Sequence, residues 1–227
     1  MDFEHRSDCW YKDVCQVDSC DSCLRFLEMQ HLLFSSGVPT SKQFPKKLIP
    51  ADCDYNQFVQ LNKIKEDIVS YVKQGYRNLY ICSDNTGNGK TSWAIKILLK
   101  YFDSIWAGNG FRNRGLFIHV PTLLLQLKDF QNPVADDYKR EILNSDIVIF
   151  DDIAVTEVSN YDLGNLLMYI DARILQEKFI IFTSNRTSRY SLARIVGERL
   201  ASRIWETSII VTLTGKDRRN GQPSDNK

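Results

Sequence analysis

Short apolar runs alternate with longer amphipathic stretches over most of the chain, from about residue 78 to residue 213. The apolar runs predict strands at residues 78–82, 115–120, 146–151, 179–184 and 208–213. Between them, apolar residues recur at helical spacing and predict helices at residues 90–102, 122–130, 161–176 and 190–205. Strands that alternate with helices indicate an α/β fold with a parallel sheet, and almost wholly apolar strands indicate helices on both faces. The expected architecture is a three-layer α/β core.

A second pattern precedes the first strand. Apolar residues recur at helical spacing between residues 58 and 72, and Gly75 ends the predicted helix. A shorter apolar helix is predicted at residues 24–34, and glycine and proline residues punctuate the stretch between the two helices. The chain therefore divides into a cysteine-rich segment (1–35), a linker (36–53), a core (54–219) and a polar tail (220–227).

The first predicted strand runs directly into a glycine-containing turn and a helix. The turn and the start of the helix comprise Thr86, Gly87, Asn88, Gly89, Lys90, Thr91 and Ser92. This order is that of a P-loop, in which backbone N–H groups and a helix N-terminus hold phosphate. We expect Lys90 to reach the terminal phosphates of ATP and the Thr91 hydroxyl to coordinate Mg²⁺. The common pattern GxxxxGK[ST] would place a glycine at position 84, where this chain has Asp84.

Polar residues end two further predicted strands. The third strand ends in Asp151 and Asp152, the Walker B arrangement, in which Asp151 would hold Mg²⁺ and Asp152 would polarise the attacking water. Many P-loop ATPases carry glutamate at this second position. Aspartate is one methylene shorter and would hold the attacking water less well, so slow ATP turnover is expected. The fourth strand is followed by Asn185, whose amide could bind the γ-phosphate or the water, the role called sensor 1. Two solvated acids and a turn asparagine are the alternatives.

Two arginines, Arg199 and Arg203, lie four positions apart on the last predicted helix and therefore share a face. Glu206 stands three positions after Arg203, but no acid stands at helical spacing from Arg199. An anion outside the helix would account for the pair. In a ring-forming ATPase this anion is the γ-phosphate bound by the adjacent subunit. A solvated basic face is the alternative.

Composition limits where nucleic acid could bind. The 227 residues are 43% hydrophobic and 25% charged, as in an ordinary soluble globular protein, and the formal net charge is +1. The whole molecule therefore cannot capture DNA electrostatically, so contacts would come from a local patch or from several subunits together. Phe111, with Arg112 and Arg114 beside it, suits stacking on single-stranded bases next to phosphate contacts. A flexible basic loop is the alternative.

The N-terminal residues are charged and lack the apolar core of a secretory signal. The longest apolar runs are too short to span a bilayer. A cytoplasmic location without membrane contact is expected.

The first two dozen residues contain four of the six cysteines: Cys9, Cys15, Cys20 and Cys23. In a reducing cytosol, clustered cysteines indicate metal ligands rather than disulfides. Cys20 and Cys23 form a good zinc half-site, while the spacing of Cys9 and Cys15 is looser than usual, and His5 is a possible substitute. The segment is too short to form a hydrophobic core of its own, so bound Zn²⁺ would supply much of its folding energy. Ordinary buried cysteines are the alternative.

Together the motifs resemble those of AAA+ ATPases and, more narrowly, of DnaC/DnaI-type replicative helicase loaders, particularly phage-encoded ones. The matching segments are residues 86–94, 106–112, 149–153, 183–185, 197–204 and 214–219. The resemblance implies a RecA-like core without a helical lid, with Arg203 as the arginine finger and Arg199 in support. It also implies an N-terminal domain that often binds zinc and contacts the helicase. The implied partners are a hexameric replicative helicase, single-stranded DNA and further copies of this chain in a ring or spiral.

The function expected from this resemblance is that of an ATPase that loads a helicase during DNA replication. An IstB-like transposition ATPase would share the core, but the cysteine-rich head argues for the loader. A small-molecule kinase would need an acceptor pocket and commonly a mobile lid, for which no segment is long enough. A binding module with a structural nucleotide stays open because of the short acid Asp152.

Overall fold

The computed structural model describes residues 6, 9–11, 15, 20, 23–43, 48–75, 77–126, 134–154 and 160–218. Its strands are β1 (Asn78–Cys82), β2 (Gly115–His119), β3 (Ile147–Asp151), β4 (Phe179–Ser184) and β5 (Ser208–Thr212). They form one parallel sheet in the order β2-β3-β4-β1-β5. The predicted strands and their parallel arrangement are confirmed, with bounds that differ by no more than one residue.

Helices cover both faces of the sheet. They are α1 (Leu24–Ser35), α2 (Tyr55–Glu66), α3 (Ile68–Lys73), α4 (Lys90–Ile105), α5 (Val120–Gln126), α6 (Val134–Asn144), α7 (Asn160–Leu175), α8 (Arg189–Val196) and α9 (Glu198–Thr207). Successive side chains of a strand point to opposite faces. Leu79 and Ile81 therefore pack with α1–α4, whereas Tyr80 and Cys82 pack with α5–α9. No helix in the described part of the chain is long and apolar enough to cross a membrane.

Three helical segments differ from the prediction. The helix expected between residues 58 and 72 is divided into α2 and α3 at Asp67, whose φ of −100° and ψ of 18° leave the helical region. The helix expected at residues 190–205 is divided into α8 and α9 at Gly197, where a φ of 78° favours glycine. Helix α6 was not predicted, because Tyr138 and Ile142 alone form too short a pattern in a mostly polar stretch.

The segment before α2 packs on the sheet. Met29 and Leu32 of α1 belong to the same hydrophobic cluster as β1, and Val38 of the predicted linker joins it. The Ser36 carbonyl accepts a 2.7 Å hydrogen bond from the Phe117 N–H on the edge strand β2. This contact covers part of an otherwise open sheet edge. The domain boundaries at residues 35 and 53 stay predictions, but α1 and the linker share a core with the sheet.

A buried arginine packs against the amino ends of the strands. This edge of the sheet lies opposite the one where β3 ends in Asp151. Arg173 on α7 is fully buried. Its guanidinium donates four hydrogen bonds of 2.6–3.0 Å to the carbonyl oxygens of Ile142, Ser145, Asp146 and Phe179. Burial lowers the pKa of Arg173 to about 9, so the guanidinium is still charged at neutral pH. It joins α6 and α7 to the starts of β3 and β4.

Candidate nucleotide site

The turn between β1 and α4 has the backbone geometry that a phosphate cradle needs. β1 ends at Cys82 and α4 begins at Lys90, so residues 83–89 form the turn. Gly87 and Gly89 have φ values of 70° and 106°, which strongly favour glycine. The N-terminus of α4 follows directly, and its N–H groups and dipole favour an anion. The strand–turn–helix order expected of a P-loop is therefore present.

Side-chain contacts hold this turn in place. Lys90 is 6% exposed, and its Nζ donates to the Asn85 carbonyl at 2.9 Å. Asp84, which replaces the first glycine of the usual motif, accepts a 2.9 Å hydrogen bond from Thr187 Oγ1. Asp84 thus connects the turn to the segment before α8. Among the other predicted contacts, Thr86 is exposed, Asn88 is buried and Ser92 is half-buried.

The residues predicted to hold Mg²⁺ are in direct contact. Thr91 Oγ1 donates to Asp151 Oδ1 at 2.7 Å, although the two residues come from α4 and the end of β3. Thr183 Oγ1 on β4 donates to the same oxygen at 2.7 Å. Asp151 is 1% exposed, so its carboxylate depends on these hydroxyls. Hydroxyl and carboxylate oxygens are the ligands that Mg²⁺ prefers, and this donor set fits the ion.

Strand β4 separates the two parts of this site. β4 pairs with both β1 and β3, so the P-loop strand and the strand that ends in the acids are not neighbours. Thr183 of β4 contacts both acids. No role was predicted for Thr183, and the available signal was a hydroxyl near the end of the strand that precedes Asn185.

Asp152 has an unusual backbone conformation. Its φ is 58°, in the left-handed region, and its N–H donates to Thr183 Oγ1 at 3.0 Å. Burial raises the pKa of the Asp152 carboxyl, and the charge of Asp151 raises it further, while His119 and Lys90 oppose the shift. His119 Nε2 lies 3.8 Å from Asp152 Oδ2. Such strain accumulates at functional sites.

His119 is a site residue that sequence analysis missed. It is the last residue of β2 and pairs in register with Asp151. Its Nδ1 is 2.8 Å from Thr122 Oγ1, which orients the ring. A lone polar residue at the end of an apolar strand was the available signal, because the carboxyl ends of parallel strands meet at one edge.

Asn185 follows β4, the strand that pairs directly with β1. Asn185 therefore comes directly after the strand next to the P-loop strand. The buried amide oxygen of Asn185 has no hydrogen-bond partner among the residues that the structure describes. Buried amide oxygens are rarely left without a donor.

Arg199 and Arg203 both have an acidic partner, which lies outside their own helix. Asp171 on α7 is 3.2 Å from Arg203 Nε and 3.8 Å from Arg199 Nη2. Asp171 is thus an anion outside the helix, which helical spacing within one element does not reveal. The possible pair of Arg203 with Glu206 is not formed, because Glu206 contacts Ser202 and Arg189.

Both arginines remain accessible. The side chains of Arg199 and Arg203 are 75% and 53% exposed. Among the described residues, no hydrogen bond or ion pair joins either of them to the P-loop of the same chain. They are suited to an anion presented by another molecule.

The zinc prediction is not supported. The cysteines Cys9, Cys15, Cys20 and Cys23 are all described, yet no group of three or more His, Cys, Asp or Glu side chains in the described ranges could hold a metal. The sulfurs of Cys9 and Cys20 accept 3.5 Å hydrogen bonds from different backbone N–H groups. His5 lies outside the described residues.

Aromatic and ionic contacts anchor the cysteine-rich segment instead. Tyr11 Oη donates to Asp103 on α4 at 2.6 Å, and the Arg25 guanidinium lies 3.5 Å from the Tyr11 ring centroid. The Trp10 and Phe26 rings pack with their centroids 5.5 Å apart. These contacts attach the segment to α1 and α4.

The aromatic–basic loop divides into exposed and structural residues. Phe111 is 54% exposed and packs edge-on against His31. Arg112 is exposed, and its Nε donates to a neighbouring backbone carbonyl. Arg114 instead forms an ion pair with Asp146, which also accepts from Tyr101. Only the first two of the three predicted residues are thus placed to reach an external ligand.

Comparison with solved structures shows which fold this is. The DnaC helicase loader matches with a TM-score of 0.58 and 19% sequence identity, over 75% of this chain and 93% of that one. DnaI matches with a TM-score of 0.61 and 16% identity, over 78% and 94%. The replication initiator DnaA bound to AMPPCP and single-stranded DNA matches with a TM-score of 0.57 and 17% identity, over 73% and 47%. No protein-family model and no curated protein matches by sequence. The predicted three-layer α/β fold with a parallel sheet is confirmed, and these replication proteins share it.

Proposed function

We propose that this chain is an ATP-binding AAA+ protein of DNA replication initiation, and specifically that it loads a replicative helicase onto single-stranded DNA. The observation that carries the ATP site is the contact of Thr91 with Asp151 across two elements, directly beside the glycine turn. The fold similarity to DnaC and DnaI supports the loader function. The IstB-like alternative is not favoured, because the similar structures are loaders and initiators.

Different residues of the site would bind the phosphates and the Mg²⁺ ion of ATP. The turn at residues 83–89 and the start of α4 would surround the phosphates, and Lys90 would exchange its contact with the Asn85 carbonyl for a phosphate oxygen. Thr91 and Asp151 would hold Mg²⁺, which neutralises phosphate charge when bound. The DnaA structure bound to AMPPCP supports a nucleotide in this fold.

Hydrolysis would depend on Asp152 and Asn185. Thr183 fixes the backbone of Asp152 beside Asp151, so that its carboxylate can orient a water. Asn185 would offer its amide to the same water or to the γ-phosphate. Because the side chain of Asp152 is one methylene shorter than glutamate, we expect a slow ATPase that a partner or DNA stimulates.

Self-association would complete the site. Arg199 and Arg203 are exposed and linked to Asp171, and neither contacts the P-loop of its own chain within the described part. A neighbouring subunit in a ring or spiral would therefore receive the arginine finger, with Arg203 in that role and Arg199 in support. Phe111 and Arg112 are proposed to contact single-stranded DNA. The phage type and the cytoplasmic location stay predictions, and zinc has no part in the proposal.

Co-purification with the replicative helicase of the encoding organism, with and without ATP, tests the loader function. The chain should bind the helicase, and more strongly with ATP than without nucleotide. Lys90→Ala is the matched control, because it should lose the ATP dependence while keeping the fold. Absence of binding under both conditions would refute the loader function and leave the ATP site intact. Nucleotide binding measured on the chain alone tests that site separately.

A further inference from the structure

A fully buried carboxylate holds the residues that follow β5. Asp54 is 0% exposed. Its Oδ1 accepts from the Thr214 N–H at 2.6 Å and from the Thr214 hydroxyl at 3.0 Å. Its Oδ2 accepts from the Gly215 N–H at 2.8 Å and from Arg218 Nη2 at 3.3 Å. One side chain thus fixes residues 213–218, which we name the C-terminal strap.

The other side of the C-terminal strap contacts the phosphate turn. The Asn85 amide donates to the carbonyls of Thr214 and Gly215, both at 3.2 Å. The Arg218 N–H donates to the Gly87 carbonyl at 3.1 Å. The strap therefore lies between Asp54 and the turn, and Thr214, Gly215 and Arg218 each contact both of them.

Two glycines allow this close approach. A Cβ added to Gly215 would lie 2.2 Å from Asp54 Oδ2. A Cβ added to Gly87 would lie 1.9 Å from Asp217 Oδ1. A side chain at Gly215 would therefore displace the buried Asp54 carboxylate, and one at Gly87 would displace the exposed Asp217 side chain. The positive φ of Gly87 favours glycine in the turn in addition.

Arg218 balances the buried charge. Its guanidinium, 20% exposed, pairs with Asp54 and donates to the Ile49 carbonyl. It also lies 4.8 Å from the centroid of the Phe58 ring on α2. A buried carboxylate is costly without such a partner and without N–H donors. The segment before α2, the strap and the turn therefore form one connected unit.

We propose that Asp54 is a positioning residue for nucleotide binding, which acts through the C-terminal strap. By holding the strap, Asp54 keeps the Gly87 carbonyl and the Asn85 side chain in place, so that the amides of the turn are preset for phosphate. This inference rests on the proposed nucleotide site, and it gives residues 214–218, which had matched the loader pattern without a role, a specific function.

Asp54→Asn tests the proposal with little change of shape. The amide has one acceptor oxygen fewer than the carboxylate, and its NH₂ group would face the N–H donors of the strap. Asp52→Asn is the matched control, because Asp52 is an exposed acid in the same short helical turn. Titration calorimetry with ATP and Mg²⁺ should show a Kd raised about tenfold in Asp54→Asn, the loss of about one hydrogen bond to a charged group. The number of sites per folded chain should not change, and Asp52→Asn should bind like wild type.

A second variant covers the case in which Asp54→Asn does not fold. Asn85→Ala removes two of the hydrogen bonds between strap and turn, on the exposed side, so it should leave the fold intact and raise the Kd by about threefold. Two outcomes would overturn the proposal. A reduced number of sites with an unchanged Kd would mean that Asp54 is only structural. A lower Kd would mean that the strap obstructs the site.

Hydrogen exchange separates this proposal from the proposed function. In the nucleotide-free protein, backbone amides of residues 84–91 should exchange faster in Asp54→Asn than in wild type or Asp52→Asn. If the wild-type chain binds no ATP, the proposed function fails, but the exchange experiment still tests whether the strap restrains the turn. Exchange rates of residues 84–91 that are unchanged in Asp54→Asn would refute this restraint.

Discussion

The Thr183 hydroxyl should contribute to the stability of the site before any ligand binds. Thr183 is fully buried, donates to Asp151 Oδ1 at 2.7 Å and accepts from the Asp152 N–H at 3.0 Å. Thr183→Val replaces the hydroxyl with a methyl group of nearly the same size. The substitution therefore removes both hydrogen bonds without leaving a cavity.

The size of the effect follows from these contacts. A hydrogen bond to a charged acceptor is worth about 1.5–3 kcal/mol, and a backbone N–H left without its acceptor costs about 1 kcal/mol more. Burial of the added methyl recovers up to about 0.8 kcal/mol. The net loss should be about 2–3 kcal/mol in the free energy of unfolding, which lowers the Tm of a chain of this length by about 4–12 °C.

Thermal and urea unfolding of the nucleotide-free protein, followed by circular dichroism and tryptophan fluorescence, would measure this loss. Coincident midpoints from the two probes would support a two-state comparison. Thr187→Val is the matched control, because Thr187 also donates to a carboxylate, that of Asp84, but in an exposed position. It should change stability by no more than about 0.5 kcal/mol. Equal midpoints for Thr183→Val and Thr187→Val would refute the reasoning.

Three further substitutions address the rest of the molecule. Lys90→Ala should abolish measurable ATP binding while the protein stays folded, and unchanged affinity in calorimetry would mean that the phosphates bind elsewhere. Arg203→Ala should leave ATP binding to the isolated chain intact and lower DNA-stimulated hydrolysis by at least about tenfold; undiminished hydrolysis would place the finger at another residue. Arg173→Met should lower the free energy of unfolding by at least about 3 kcal/mol in urea titrations, because four buried carbonyls lose their donor. Wild-type stability of this variant would show that water replaces the guanidinium.

Local patterns predicted most of the residues that form the candidate nucleotide site. The strand β1, the glycine turn and the start of α4 are contiguous, so their order in the sequence is also their order in space. Asp151, Asp152 and Asn185 could be predicted to lie at one edge because the carboxyl ends of parallel strands meet there. His119 obeys the same rule and was overlooked, since a single histidine carries little signal without a partner.

Contacts between distant segments were not predictable from local patterns. The pairing of Arg199 and Arg203 with Asp171 depends on how α7 packs against α9, which helical spacing within one element does not report. The four N-terminal cysteines looked like a metal site by spacing, but Tyr11 and Arg25 attach that segment to α4 through other contacts. Spacing predicts a metal site only where the backbone also turns the sulfurs toward one point.

The sequence by itself determined the strands, the alternation with helices and the glycine turn, because these follow from hydrophobic period and backbone preference within a few residues. The tertiary structure alone decided that β4 lies between β1 and β3, and hence that Thr183 contacts both acids. It also decided that Asp54 meets the C-terminal strap, about 160 residues later in the chain. Such contacts arise from the packing of whole elements, and no local pattern of side chains encodes them.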